Sequence, residues 1–389
     1  MKIYRIIILL SLIGFSENLF SQESDSSKAI TYSALYTTDF VGFKNSNSDL
    51  QSGMLGHIDL SMELNTESLG LWKNGTTMIY IINDHGSNPT ANSVGDIQTF
   101  SNIEAPARTK LYECWYEQQM GDLSIKIGQQ NVNGEFVFSE TGLNLINSAF
   151  GVIPTVSSNI PISIFPNTSI GIRGIYSVTP NWNILVGVFD GEPGDETNDP
   201  YGYNWEISKN EGAIMLVESQ NSIIDKTTDE IKATIKLGYW HSSSEFEDIV
   251  SGDKEKGNFG LYTIDDFVIS RNVQNPDLGW RGFIQGGWSP NTTNFIQASI
   301  GGGISLIGVR PERDDEVFSI GYTNALIHKE YVKTDNTISG EHVIEINYGK
   351  DITDNIRITP DFQYIINTGG VKSRNTIVGL IRASIDLSN

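Results

Sequence analysis

Cysteine is nearly missing. Cys114 is the single one in 389 residues, so the chain can form no internal disulfide and no cysteine-based metal site. Histidine is scarce too. His57, His85, His241, His328 and His342 are the five present; none stands at metal-ligand spacing from another, and neither HExxH nor GxSxG occurs. No metal, no cofactor and no catalytic residue is therefore expected. Past the N-terminal stretch, no apolar run approaches the ~20 residues that a helical span requires; Met78 to Ile82 is the sort of run available. This excludes an α-helical membrane protein but not a membrane β-barrel, whose signal per strand is weak. Basic residues are outnumbered, 26 Lys and Arg against 47 Asp and Glu, for a formal charge of -21. Such acidity argues against nucleic acid as a partner. It suits a cation-attracting pore or a loop surface that binds divalent ions at a lipopolysaccharide layer.

The first residues set the compartment. Lys2 and Arg5 precede the apolar run Ile6 to Ile13, and Ser16 to Gln22 is polar. This order reads as a secretory signal over residues 1–22, with cleavage near Ser21 or Gln22. Residues 23–389 then form one domain, with no linker or break in composition. Its charge is near -22, because the removed Lys2, Arg5 and Glu17 sum to +1.

What the chain does have is alternation. Ile344, Ile346 and Tyr348 alternate with Glu345 and Asn347. After Thr353-Asp354-Asn355, the residues Ile356, Ile358, Phe362 and Tyr364 alternate with Arg357, Thr359, Asp361 and Gln363. After Gly369-Gly370, Ile377, Ile381, Ile385 and Leu387 alternate with Arg382, Ser384 and Asp386. Successive strand side chains point to opposite faces, so each strand has one oily and one charged face. A soluble sandwich would turn the oily face inward; a membrane barrel turns it toward lipid and keeps a polar lumen. The same pattern runs from 29 to 387 and divides into sixteen segments, an even number as a closed bacterial barrel requires. The predicted fold is all-β, a closed transmembrane antiparallel β-barrel of about sixteen strands in the bacterial outer membrane.

Short links at Gly121-Asp122, Thr179-Pro180-Asn181 and Thr353-Asp354-Asn355 follow even strands, and long links such as 84–107, 132–166 and 190–210 follow odd ones. Short periplasmic turns opposite long external loops are the outer-membrane pattern. Ser289-Pro290-Asn291 reads as another short inner turn, although it follows strand eleven. The 132–166 link is too long for a connector. It is expected to fold into the lumen as a constriction, with a short helix around Leu143 to Phe150.

The polar parity supplies the candidate pore-lining residues: Glu113, Trp115 and Glu117, then Lys126 and Gln130, then Arg173, Arg281, Glu345, Arg357, Asp361, Arg382 and Asp386. Charges of both signs on one sheet face do not suit a dry core. They suit a wet channel wall, where Trp115 would offer a flat apolar face to a sugar ring. Tyr112, Cys114, Tyr116, Ile127, Ile172, Trp182, Val186 and Val188 would face lipid.

From Leu111 to Leu387 the chain resembles the carbohydrate-selective porin family of the OprB type. The resemblance rests on Tyr112-Glu113-Cys114-Trp115-Tyr116-Glu117-Gln118, Ile127-Gly128-Gln129, Glu135-Phe136, Val188-Phe189-Asp190-Gly191 and Leu237-Gly238-Tyr239-Trp240. It continues in Gly279-Trp280-Arg281-Gly282-Phe283, Gly308-Val309-Arg310-Pro311, Glu345-Ile346-Asn347-Tyr348 and Thr359-Pro360-Asp361-Phe362-Gln363-Tyr364-Ile365. It implies a sixteen-stranded outer-membrane barrel that passes glucose and other sugars by diffusion, without enzyme activity. Sugars, outer-membrane lipid and lipopolysaccharide would be its partners, and it would work as a monomer or homotrimer. Two alternatives stand on the residues alone: a general or cation-preferring porin, and a plugged or enzymatic barrel.

Overall fold

The computed structural model describes residues 28–388 apart from 47, 195, 196, 198, 206, 208–210, 227, 311 and 312. The expected signal segment 1–22 lies outside the described residues. Sixteen strands run through the chain: β1 (Ile30–Asn45), β2 (Gln51–Asn65), β3 (Gly75–Gly86), β4 (Arg108–Met120), β5 (Leu123–Gln130), β6 (Ser169–Thr179), β7 (Trp182–Asp190) and β8 (Ala213–Asp225). There follow β9 (Glu230–Glu247), β10 (Lys254–Val268), β11 (Gly279–Trp288), β12 (Ile296–Ile307), β13 (Glu316–Ile327), β14 (Glu341–Thr353), β15 (Ile356–Ile366) and β16 (Thr376–Asp386). Each pairs antiparallel with its sequence neighbours, and β1 pairs with β16, so the sheet closes into a barrel. Closure leaves no free edge. Unheated protein in mild detergent is therefore expected to migrate faster on a gel than boiled protein; identical migration would contradict the closed sheet.

The alternation sorts as expected over most of the wall. Ile127, Ile172, Val186, Val188, Ile344, Ile346, Phe362, Ile377 and Ile381 are exposed, whereas Lys126, Arg173, Glu345, Gln363, Arg357 and Asp361 are buried. Tyr112 departs from it. Tyr80 pairs with Glu113 and Ile81 with Leu111, so Tyr112 is an extra residue in a β-bulge. A bulge re-aims the side chain it carries. Tyr112 is buried, packed edge-on against Tyr80 and Phe165, rather than facing outward with Tyr116.

The buried face is also less uniformly polar than the alternation suggests. On β7 to β10 it carries Leu185, Phe189, Ile214, Leu216, Trp240 and Ile264. These pack against Val132, Phe136, Val137, Ile153 and Val156 of the β5–β6 link. Each aliphatic or aromatic side chain so removed from water contributes about 1.5–3 kcal/mol. A dry core thus lies along that part of the wall.

The links at one end are two residues long at 121–122, 180–181 and 354–355. Gly121, at φ 65°, makes the first of these turns. The Ser289-Pro290-Asn291 stretch is not a turn at that end. It opens the seven-residue link 289–295, at the end that carries the long links. There Ser289 Oγ donates to the Thr155 carbonyl at 3.3 Å.

Candidate functional site

The site is built where two links meet the buried face of the wall. The β5–β6 link, 131–168, holds the short helices α1 (Ser148–Gly151) and α2 (Pro154–Ser157), with a 3-10 turn at Gly142–Asn144. The expected helix around Leu143 to Phe150 is thus split in two. A link with so little regular structure leaves many backbone N–H groups to satisfy. Wall carboxylates accept them. Glu218 on β8 accepts from Val137 N (3.0 Å) and Asp266 on β10 from Thr141 N (2.9 Å). Glu345 on β14 accepts from Ile146 N (2.5 Å) and Asn147 N (2.9 Å). On β11, Gln285 donates to the Ala149 carbonyl at 2.6 Å. These wall side chains thus satisfy the link's backbone groups and act as its tethers.

The β3–β4 link, 87–107, joins the same assembly. Asn102 N donates to the Ile146 carbonyl at 3.0 Å, and Ser148 N to that of Thr99 at 3.0 Å. Glu341 accepts from Ile97 N and Gln98 N. Burial pushes Asp96 up to about 6 and Glu104 up to about 7, even though each accepts a backbone N–H.

At the other side of the assembly, Glu135 sits between two cations. Lys126 Nζ is 2.7 Å from its Oε1 and Arg173 Nε 2.5 Å from its Oε2. Arg173 also reaches Glu117 at 3.1 Å. Burial alone would raise the Glu135 carboxyl; Lys126 and Arg173 overcome it and hold the group at about 2. Trp115 lies beside them, 2 % exposed, with its Nε1 donating to Glu113 at 2.8 Å and Lys126 Nζ 4.3 Å above its ring. Its face is covered by the ammonium, so it presents no open platform to a sugar ring.

A cavity of about 90 Å³ opens between residues 143–146 and the wall of β13 to β16, β1 and β2. Arg357, Arg382, Asn347, His57 and Asp59 line its polar side, and Phe165 and Leu143 its apolar side. Arg382 is clamped by Asp39, with Nε and Nη2 each 2.8 Å from a carboxylate oxygen. His57 Nδ1 is 2.6 Å from Asp84 and Nε2 is 2.8 Å from Asp59. A carboxylate only accepts, so between two of them both ring nitrogens donate and the imidazole is a cation.

The structure therefore splits the sequence candidates. Arg357 and Arg382 line the cavity, with Glu345 and Asp361 on the same buried face. Glu113, Trp115, Glu117, Lys126 and Arg173 gather round Glu135 instead. Gln130 is buried and donates to the Gly171 carbonyl at 3.1 Å. Arg281 and Asp386 stand apart at the short-turn end. Arg281 donates to the Pro276 and Asp277 carbonyls, and Asp386 accepts from Ser388 N at 2.7 Å. Sequence reasoning missed His57, Asp59, Asp39 and Phe165. The first two share a strand face, and that spacing was the only signal available. Among the described residues, no group of three or more His, Cys, Asp or Glu is placed to hold a metal ion.

The profile of the carbohydrate-selective porin, OprB family, matches residues 52–387. The chain belongs to the carbohydrate-selective porins. It is a passive channel of the bacterial outer membrane. Porin B of Pseudomonas aeruginosa is 21% identical over 357 residues, 80% of this chain and 77% of that protein. A putative porin of Acinetobacter baylyi, QuiX, is 20% identical over 372 residues, 86% of this chain and 83% of that one. In fold, this porin superposes on the high-pH structure of Pseudomonas putida OprB with a TM-score of 0.84, at 18% identity, over 92% of this chain and 94% of that one. The outer-membrane channel DcaP of Acinetobacter baumannii gives 0.55 at 10% identity, over 92% and 97%.

Proposed function

We propose that the 131–168 link, braced by 87–107, crosses the channel and narrows it to an eyelet beside β13 to β16, β1 and β2. The observation that carries this reading is the spread of the tethers. One link bonds to buried-face side chains on β8, β10, β11 and β14, which a lid resting on one rim could not reach together. A sugar would pass through the cavity edge-on. Its apolar ring face would slide on Phe165 and Leu143, and its hydroxyls would exchange bonds with Arg357, Arg382 and Asn347. Passage needs binding weak enough for release, and no bond in the solute is made or broken. The exposed apolar face would lie against lipid, with lipopolysaccharide at the long-link end.

Liposome swelling with neutral sugars of increasing size tests this. Fast swelling with monosaccharides and a steep fall beyond disaccharides is the expected result. No swelling with any sugar would indicate a plugged barrel. Equal rates for all sizes would indicate a general pore, and a strong cation preference without sugar interaction would favour an ion channel driven by the acidic excess.

A further inference from the structure

We propose that residues 201–207 form a strap that seals a low stretch of the barrel wall and seats its aromatic side chains in the lipid boundary around the barrel. The inference does not depend on the eyelet. It begins with the heights of the strands. β5, β6 and β7 have eight, eleven and nine residues, against thirteen in β4 and eighteen in β9. The chain leaves β5 after Gln130 for the buried face, and the pairing of β4 with β5 stops at Cys114–Gln129. Residues 108–113 of β4 stand above that point, paired on their other edge with β3. A strand edge left open there needs cover, because lipid offers its N–H and C=O groups no partner.

The β7–β8 link supplies the cover. It reaches back past β6 to β5 and β4, where Leu111 N donates to the Tyr201 carbonyl at 2.9 Å. Gly202, at φ 69°, permits the approach: a Cβ there would fall 2.2 Å from the Leu111 carbonyl oxygen. Trp205 anchors the strap further along, its Nε1 donating to Gln129 Oε1 at 2.7 Å. Gln129 shares the outward parity of β5 with Ile127, yet it is 1 % exposed and Ile127 54 %. Its amide also donates to the Leu111 carbonyl and to Thr168 Oγ1, each at 3.0 Å. A glutamine turned toward lipid is thus bonded at both ends of its amide and roofed by an indole. That is what a polar group requires where water does not reach.

What covers the strap in turn follows from what it shows. Tyr201, Tyr203, Trp205 and Ile207 stand at every second position and are all exposed. The two tyrosine rings lie parallel, 5.9 Å apart. The patch continues the exposed apolar wall of Ile127, Ile172 and Val188 toward the long-link end. Tyr and Trp carry an apolar body and a polar edge, which fits the level between acyl chains and headgroups. The occupant is therefore outer-leaflet lipid at that level.

The test places single nitroxide labels on the full barrel, in a Cys114→Ser background and in phosphatidylcholine vesicles. The labelled positions are Tyr203, Ile172 on the lipid-facing wall, and Val273, which is 93 % exposed in the β10–β11 link. Position 203 is expected to match 172, open to oxygen and shielded from a water-soluble nickel chelate. Behaviour like that of position 273 overturns the lipid assignment. So does spin–spin broadening that vanishes on dilution with unlabelled protein, since a second copy would then cover the strap. Hydrogen exchange tests the seal. In Gly202→Val, and in the milder Trp205→Phe, exchange at the Leu111 amide is expected to quicken roughly tenfold, with heat-modifiable migration verifying the barrel. Unchanged exchange in both variants overturns the strap while leaving the channel reading intact.

Discussion

Excising residues 140–160 and closing the gap with a short Gly/Ser linker is expected to raise single-channel conductance severalfold and to flatten the dependence of sugar flux on size. The excised stretch contains α1, α2 and the 142–144 turn. With it go the backbone groups that occupy Glu345 and the Ala149 carbonyl that occupies Gln285. Asp266 loses its bonds from Glu140 N and Thr141 N, though Ser139 stays. The wall itself is closed by sixteen strand pairings that do not involve the link, so the barrel should survive, as heat-modifiable migration would verify. The freed carboxylates would face a wider aqueous path, and cation preference should rise at the same time, since they would then line the route taken by permeating ions. Unchanged conductance and sugar flux in a correctly folded barrel would show that the link does not set the narrowest section, and selectivity would then have to come from the wall alone.

The second large effect concerns Glu135. Replacement by alanine leaves Lys126 and Arg173 buried together without their shared carboxylate. Removing one member of a buried ion pair costs about 3–5 kcal/mol, because the remaining charge stays desolvated. Glu135→Ala is expected to lower the urea midpoint of tryptophan fluorescence in detergent clearly, and Glu135→Gln should recover only part of the loss. Glu117 still reaches Arg173, so the loss falls mainly on Lys126. The pH dependence follows from the sign of the shift. A carboxyl held at about 2, below its unfolded value of about 4.3, contributes stability that is complete above the unfolded value. That contribution is lost as the pH falls toward 2. The parent's advantage over Glu135→Gln should therefore be constant from neutral pH to about 5 and shrink below it. A substitution without effect on the midpoint would mean that water reaches this cluster freely.

Much of the wall was legible because a strand side-chain period of two is a local property. Ile344, Ile346 and Phe362 on one face and Glu345, Arg357 and Gln363 on the other can be assigned from neighbours alone, and the structure places them so. Tyr112 was misassigned for the same reason. A bulge inserts one residue, and from there the period is out of step until the pairing partner, here Tyr80, is known. Ser289-Pro290-Asn291 has the composition of a tight turn, yet turn residues do not say at which end of a barrel a turn lies.

The candidate site was less legible. The polar parity picked out Arg357, Arg382, Lys126 and Arg173, but not that two of them line a cavity while two others clasp Glu135. His57 and Asp59 were passed over because a histidine two residues from an aspartate is ordinary in sequence. Asp84, which completes the pair of carboxylates about the ring, is 27 residues away. By itself the sequence determined the strand count, the antiparallel order, the two-faced wall and the family, since all of these are written in short-range alternation and short motifs. Only the tertiary structure decided which part of the buried face is apolar, which carboxylates hold the long link and which arginines line the cavity. Those outcomes depend on groups brought together from opposite sides of a closed sheet, and nothing in the spacing along the chain encodes that distance.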